Sequence, residues 1–263
     1  MTGGGGGGGA APSRPAAEVL TFSSLAALAD AAAERFIAAA TTAVAARGRF
    51  TVALSGGSTP KALYTRLASP GCASRIDWPR VHVFWGDERC VPPDHPSSNF
   101  RMAREALLDR VPLPAAQVHR MRGEDDPPAA AASYERALRE TFPEGVARFD
   151  LVLLGMGDNG HTASLFPGLS AVRETTRWVV AEHVDEVGMW RLTLTPPALN
   201  SAAAVLLLVA GRDKAAMLAQ VLDGPRDLDR LPVQAVAPVD GTLTWLIDDA
   251  AAANLAGERR RSW

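Results

Sequence analysis

Residues Phe149–Gly168 read FDLVLLGMGDNGHTASLFPG. The apolar run ending at Leu154 is short and is led into by Asp150, which suits a buried parallel strand better than a helix. It stops at a glycine. Gly155, Gly157 and Gly160 let the backbone take positive φ or approach a ligand closely, and His161 follows at once. That places the imidazole at the carboxyl end of a strand, where open α/β sheets bind ligands. A histidine there is poised for proton transfer. A lone histidine is more often a satisfied core or loop residue, but the glycine-rich strand end favours the functional reading.

The same stretch is formally a G-x-G-x-x-G, with Glu182 some distance downstream, so a dinucleotide site has to be weighed. Only His161–Phe166 separates Gly160 from the breaker Pro167-Gly168. That is too short for the helix of a crossover, which takes a dozen or more residues.

Upstream, Phe50–Leu54 (FTVAL) reads as another strand, running into Ser55-Gly56-Gly57-Ser58-Thr59. Pro60 is favoured in the first turn of a helix, expected over Pro60–Ala68. Backbone N–H groups at such a terminus, with the Ser58 and Thr59 hydroxyls, can receive a phosphate. The spacing is not that of a P-loop, because Lys61 follows the proline, and Ala53 stands where a nucleophile elbow needs glycine. A plain βα turn remains the alternative. Val81–Trp85 (VHVFW) is a third strand, ending in Gly86-Asp87-Glu88-Arg89, where charges crowding a strand end mean a solvated rim or a site.

The rest of the chain keeps the same rhythm. Val19–Phe22 reads as a first strand, and Ser23 or Ser24 caps a helix to Arg47 with Leu25, Leu28, Phe36, Ile37 and Val44 on one stripe and Gly48 as its stop. A helix follows over Phe100–Arg110, a strand is expected at Gln117–Met121, and a helix over Ala129–Glu140. Trp178–Glu182, Arg191–Thr195, Ala203–Ala210 and Thr242–Ile247 read as strands, with helices at Ala215–Leu222 and, Ala-rich, up to Ala256. Lys214 falls in the first turn of its helix, where a cation opposes the macrodipole unless an anion joins it. Alternating strands and helices with apolar strands imply a mainly parallel, Rossmann-like α/β sheet with helices on both faces.

At 263 residues and 47% hydrophobic composition the chain can bury one sizeable core. We expect residues 1–17 to be a disordered Gly-rich tail, 18–257 a single α/β domain, and 258–263 a basic end. The net charge of −2 gives no global field for nucleic acid, so an anionic ligand needs a local cluster of cations. Cys72 and Cys90 match neither a disulfide framework nor zinc spacing. No basic-then-apolar leader or membrane-length run is present, so a cytoplasmic location without membrane or nucleic-acid partners is expected.

Taken together, LSGGSTP, WGDERCVPPDHPSSN, LLGMGDNGHTASLFPG, RLTLTPPALN and AGRDK resemble, in order, the glucosamine-6-phosphate deaminase-like superfamily and within it the 6-phosphogluconolactonases. The resemblance spans roughly Leu20 to Ala250. It implies hydrolysis of a 6-phosphogluconolactone, a step of the oxidative pentose phosphate pathway, without a cofactor; side chains can serve both nucleophile and oxyanion, so no metal is expected, and the protein is expected to be a monomer or weak homodimer. It places the catalytic histidine on His161 with Asp158 and Asn159 beside it, though many relatives have Asp where Asn159 stands. Asp87, Glu88 and Arg89 match the family's Asp-Glu-Arg. The substrate and phosphate contacts fall on Ser55, Gly56, Gly57, Ser58, Arg191 and Lys214. Deaminases carry a glutamate five residues after the histidine; Phe166 occupies that position and favours a lactonase. Arg89 is then the expected oxyanion donor, with Asp87 the alternative base. A sugar-phosphate isomerase or deaminase and a sugar-phosphate effector-binding domain are the other readings.

Overall fold

The computed structural model describes residues 17–256; the expected Gly-rich tail and basic C-terminal end lie outside them, apart from Ala17. Short, mostly apolar strands set the frame. β1 (Glu18–Phe22), β2 (Phe50–Leu54), β3 (Val81–Trp85), β5 (Leu151–Leu154), β8 (Ala204–Val209) and β9 (Thr242–Asp248) form one sheet in the order β1-β9-β8-β5-β2-β3, every pairing parallel. β2 and β5 are buried along their whole length, as strands covered on both faces must be.

The helices follow from local signals. α1 (Leu25–Arg47) starts at Ser24, whose side chain accepts the Ala27 N–H, and ends at Gly48 in the left-handed region. Its buried face is Leu28, Phe36 and Ile37 filled in with alanines, which lets the helix pack closely against β2 and β9. Leu25, expected on that stripe, is instead exposed and borders the cleft described below. α2 (Ser58–Leu67) takes Ser58 and Thr59 into its first turn rather than leaving them in the loop. α3 (Pro70–Ala73), α4 (Asn99–Ala106), α5 (Pro127–Thr141), α6 (Pro196–Leu199) and α7 (Ala215–Asp223) complete the set.

A second, smaller sheet was not foreseen. β4 (Asp87–Arg89), β7 (Met189–Leu194) and β6 (Val179–Val184) pair antiparallel in the order β4-β7-β6. A single residue separates it from the large sheet: Gly86 donates to the Leu54 carbonyl on one side and accepts from Leu194 N on the other. α5 packs against β6 and β7.

Two further expectations are corrected. Gln117–Met121 is not a strand. Only Val118 bridges to Val83, directly after a 3-10 turn at Ala115–Gln117. The C-terminal alanines make only a 3-10 turn, Ala251–Asn254, because so short a run cannot offset the cost of nucleating an α-helix. Cys72 and Cys90 are free thiols. No described helix is long and apolar enough to cross a membrane.

Candidate active site

β8, β5 and β2 are neighbours in the large sheet, and the loops that leave their carboxyl ends open on one cleft of about 520 Å³. A cavity of that size fits a small-molecule ligand. The β2 loop supplies Ser55, Gly56, Gly57 and Ser58, the β5 loop Gly157 and His161, the β8 loop Gly211 and Lys214, and β4 adds Asp87 and Arg89. Residues more than 150 positions apart in sequence thus face one space. Asp158 and Arg191 are the two expected site residues that do not line it.

His161 is held from three sides. Its Nδ1 lies 2.6 Å from Asn159 Oδ1, an oxygen that also accepts the His161 backbone N–H at 3.2 Å. An amide oxygen can only accept, so Nδ1 carries the proton and Nε2 is left with a free lone pair. Phe166 stacks on the ring at 4.2 Å between centroids. On the other side Gly157 comes so close that a Cβ there would fall inside the imidazole, and Gly157 N–H donates to the His161 carbonyl to close the loop. Burial above all draws the His161 pKa below 6.5; Asp87 and Glu186 pull it up, Arg191 and Lys214 push it down. The imidazole is therefore neutral near neutral pH.

Asp87 and Glu88, adjacent in sequence, face opposite tasks because side chains alternate along a strand. Asp87 is buried at the cleft, its carboxylate accepting from Ser164 Oγ at 2.8 Å and from Asn99 Nδ2 at 3.1 Å. Glu88 turns the other way and caps α4, accepting from Ser98 Oγ and from the N–H groups of Asn99 and Phe100, besides its neighbour Arg89. Burial, the largest influence, raises its pKa while those donors lower it.

Arg89 donates from Nη1 to the Ser97 carbonyl at 2.6 Å, and its Nε is buried without a partner. Arg191 stands directly opposite it across the β4–β7 ladder, and its Nε is also unpartnered. Burial, then the facing Arg89, lower the Arg191 pKa below its ordinary value. Two guanidiniums side by side with unspent donors suit an anion.

Lys214, also lining the cleft, ends the 3-10 turn Arg212–Lys214 and caps α7. Its ammonium pairs with Asp158 and lies 3.5 Å from Asp213. Asp158 and Asn159 were both expected beside the imidazole; the Asp158 carboxylate goes to Lys214 instead, and Asn159 is the one that touches the ring. The Ser58 and Thr59 N–H groups, at the same cleft, open α2 with no helical acceptor of their own. Gly56 passes Asn99 so closely that a Cβ would overlap the amide, which binds this turn to the Asp87 network. Asn99 and Ser164 were not singled out from the sequence, where nothing in their spacing marks them; Asn159 and Phe166 were, by their spacing from His161. Among the described residues no three His, Cys, Asp or Glu side chains gather as a metal centre would need.

The chain is also similar to known proteins. A sequence model described as glucosamine-6-phosphate isomerases/6-phosphogluconolactonase matches residues 23–245. A 6-phosphogluconolactonase of a Nostoc species is 47% identical over 82% of this chain and 88% of its own. One from Mycobacterium leprae is 40% identical over 92% of this chain and 99% of its own. The solved 6-phosphogluconolactonase of Trypanosoma brucei superposes with a TM-score of 0.78 at 28% identity, covering 93% of this chain and all of that one.

Proposed function

The chain belongs to the glucosamine-6-phosphate isomerase/6-phosphogluconolactonase family, and from that premise we infer that it hydrolyses 6-phospho-D-glucono-1,5-lactone to 6-phosphogluconate, the second step of the oxidative pentose phosphate pathway. One observation carries the assignment of roles. A neutral imidazole with its Nδ1 proton committed to Asn159 and its Nε2 free sits in the same cleft as Lys214 and the start of α2.

Ester hydrolysis needs an activated water. His161 Nε2 takes a proton as the water oxygen attacks C1, general-base help worth about 10²–10⁴-fold. The carbonyl oxygen gains charge in the tetrahedral intermediate, and Arg89, with a buried Nε lacking any acceptor, is the donor that meets it. Such a donor is worth about 3–4 kcal/mol in acyl-transfer sites. When the C1–O5 bond breaks, the proton held by His161 passes to O5, and the products are a carboxylic acid, which ionises, and a free hydroxyl. Asp87, fixed by Ser164 and Asn99, favours the imidazolium as it forms.

The phosphate, at the far end of the sugar, is assigned to Lys214 and the Ser58 and Thr59 N–H groups. Asp158 then acts as the counter-ion that Lys214 exchanges for phosphate, and Arg191 supports Arg89 from behind. Phe166 favours this reading over ring-opening deamination, because an aromatic ring stacked on the base offers no proton-transfer group there.

The test is hydrolysis of 6-phosphogluconolactone, corrected for spontaneous opening, by the parent and Lys214→Ala. A phosphate ligand holds ground and transition states alike, so we expect KM to rise by the equivalent of roughly 1.5–3 kcal/mol. Unphosphorylated gluconolactone should be turned over equally by both proteins. Equal slowing on the two lactones would remove Lys214 from the phosphate.

A further inference from the structure

Glu186 lies outside the cleft, in the 3-10 turn Asp185–Val187 at the tip of the β6–β7 hairpin, and the chemistry above gives it no task. Its Oε2 accepts a hydrogen bond of 2.9 Å from Asn159 Nδ2. The other end of that amide is the oxygen that faces His161 Nδ1 at 2.6 Å. We propose that Glu186 is a positioning residue for the lactone hydrolysis inferred above, acting through Asn159: carboxylate, amide and imidazole form a relay that keeps the proton on His161 Nδ1 and Nε2 free. The proposal rests on that reading of His161 as the base.

The need for a third member follows from the amide. Turned over, Asn159 would present its NH₂ to Nδ1, which would then have to accept. The ring proton would move to Nε2, and the base would be lost. The His161 backbone N–H already favours the oxygen-inward orientation. Glu186 fixes it from the other end, because a carboxylate only accepts and so must face the amide NH₂. An amide is also neutral and cannot offset the imidazolium charge that a carboxylate in direct contact would. Glu186 restores a negative charge one residue further out. Of the other charges acting on the ring, Asp87 works in the same direction, and Arg191 and Lys214 against it. Glu186 is exposed, so its field is weakened by water and salt, and the orienting hydrogen bond is the part that persists.

The relay makes a sign-reversal test possible. In the parent, Glu186→Gln replaces an acceptor-only group with an amide that can present either its oxygen to the Asn159 NH₂ or its own NH₂ to a turned-over Asn159 oxygen, loosening the orientation. We expect kcat to fall about 3- to 10-fold, the range for one net hydrogen bond, with KM unchanged and the acid limb of the rate profile shifted to lower pH. With Asn159→Asp in place, two carboxylates would face each other at hydrogen-bond distance. Glu186→Gln should then raise kcat, since the new amide can donate to the introduced carboxylate. Imidazole ¹⁵N shifts of the substrate-free proteins give a second readout. Nδ1–H should dominate in the parent, and the Nε2–H share should grow in Glu186→Gln. Parent-like kcat, pH profile and tautomer in Glu186→Gln, or an equal loss in both backgrounds, would overturn the proposal. If the parent itself does not hydrolyse the lactone, the functional reading fails, while the tautomer measurement still decides for or against the relay.

Discussion

In the proposed mechanism one side chain, His161, concentrates the chemistry, and its properties come from what touches it rather than from being histidine. Replacing it with alanine removes the group that takes a proton only in the transition state. We expect kcat to fall by at least about 10²-fold with KM little changed, measured by steady-state kinetics. The pH profile has a definite sign. The base works while neutral, above its pKa, and burial against Phe166 places that pKa below 6.5. The acid limb of kcat should therefore fall at lower pH than an unperturbed imidazole would allow, and a limb above 6.5 would contradict the assignment. The histidine was legible in the sequence because a glycine-rich strand end announces it. Its partner was not: Asp158 and Asn159 are adjacent, and which of them reaches the ring depends on how the loop closes through Gly157 N–H and the His161 carbonyl.

At the scale of elements, β4 and α4 act as one unit through Glu88. Its two oxygens collect four hydrogen bonds, two of them from N–H groups at the start of α4 that have no helical acceptor. Glu88→Ala would leave these donors buried. We predict a loss of roughly 2–5 kcal/mol in the free energy of unfolding, read from urea denaturation midpoints. The neighbouring Arg89 and Asn99 should shift with it, so kcat should fall as well even though Glu88 does not face the cleft. A stability change under about 0.5 kcal/mol, the range of ordinary surface positions, would show that the cap is dispensable. In the sequence Asp87-Glu88-Arg89 reads as a single charged motif. Strand alternation divides it between site and scaffold, and a three-residue strand is too short for its period to be recognised beforehand.

For the whole molecule, three histidines bear on the response to mild acid, between neutral pH and the range where carboxylates titrate. His82 and His119 stack at the edge of the large sheet with Nδ1 and Nε2 3.3 Å apart; burial lowers both pKa values, and repulsion lowers each further, from Arg49 for His82 and from protonated His82 for His119. With His161 also lowered, the unfolded chain binds more protons than the folded one once pH drops below 6.5, so stability is complete above that pH and declines through it toward the folded pKa values. Melting temperature should fall between pH 7 and 5.5, and His119→Phe, which can keep the stacking on Phe84, should flatten the slope. An unchanged slope would place the proton uptake elsewhere. The sequence by itself determined the parallel α/β frame, since uninterrupted apolar strands, glycine stops and capped helices are local signals that tertiary packing had no reason to override. It also marked most of the cleft, because strand-end loops carry their chemistry in their own residues. Only the tertiary structure decided the small antiparallel sheet, the facing of Arg89 and Arg191, and the contact of Glu186 with Asn159. Those depend on which strand pairs with which, and pairing energy comes from long-range contacts that leave no periodic trace in the chain.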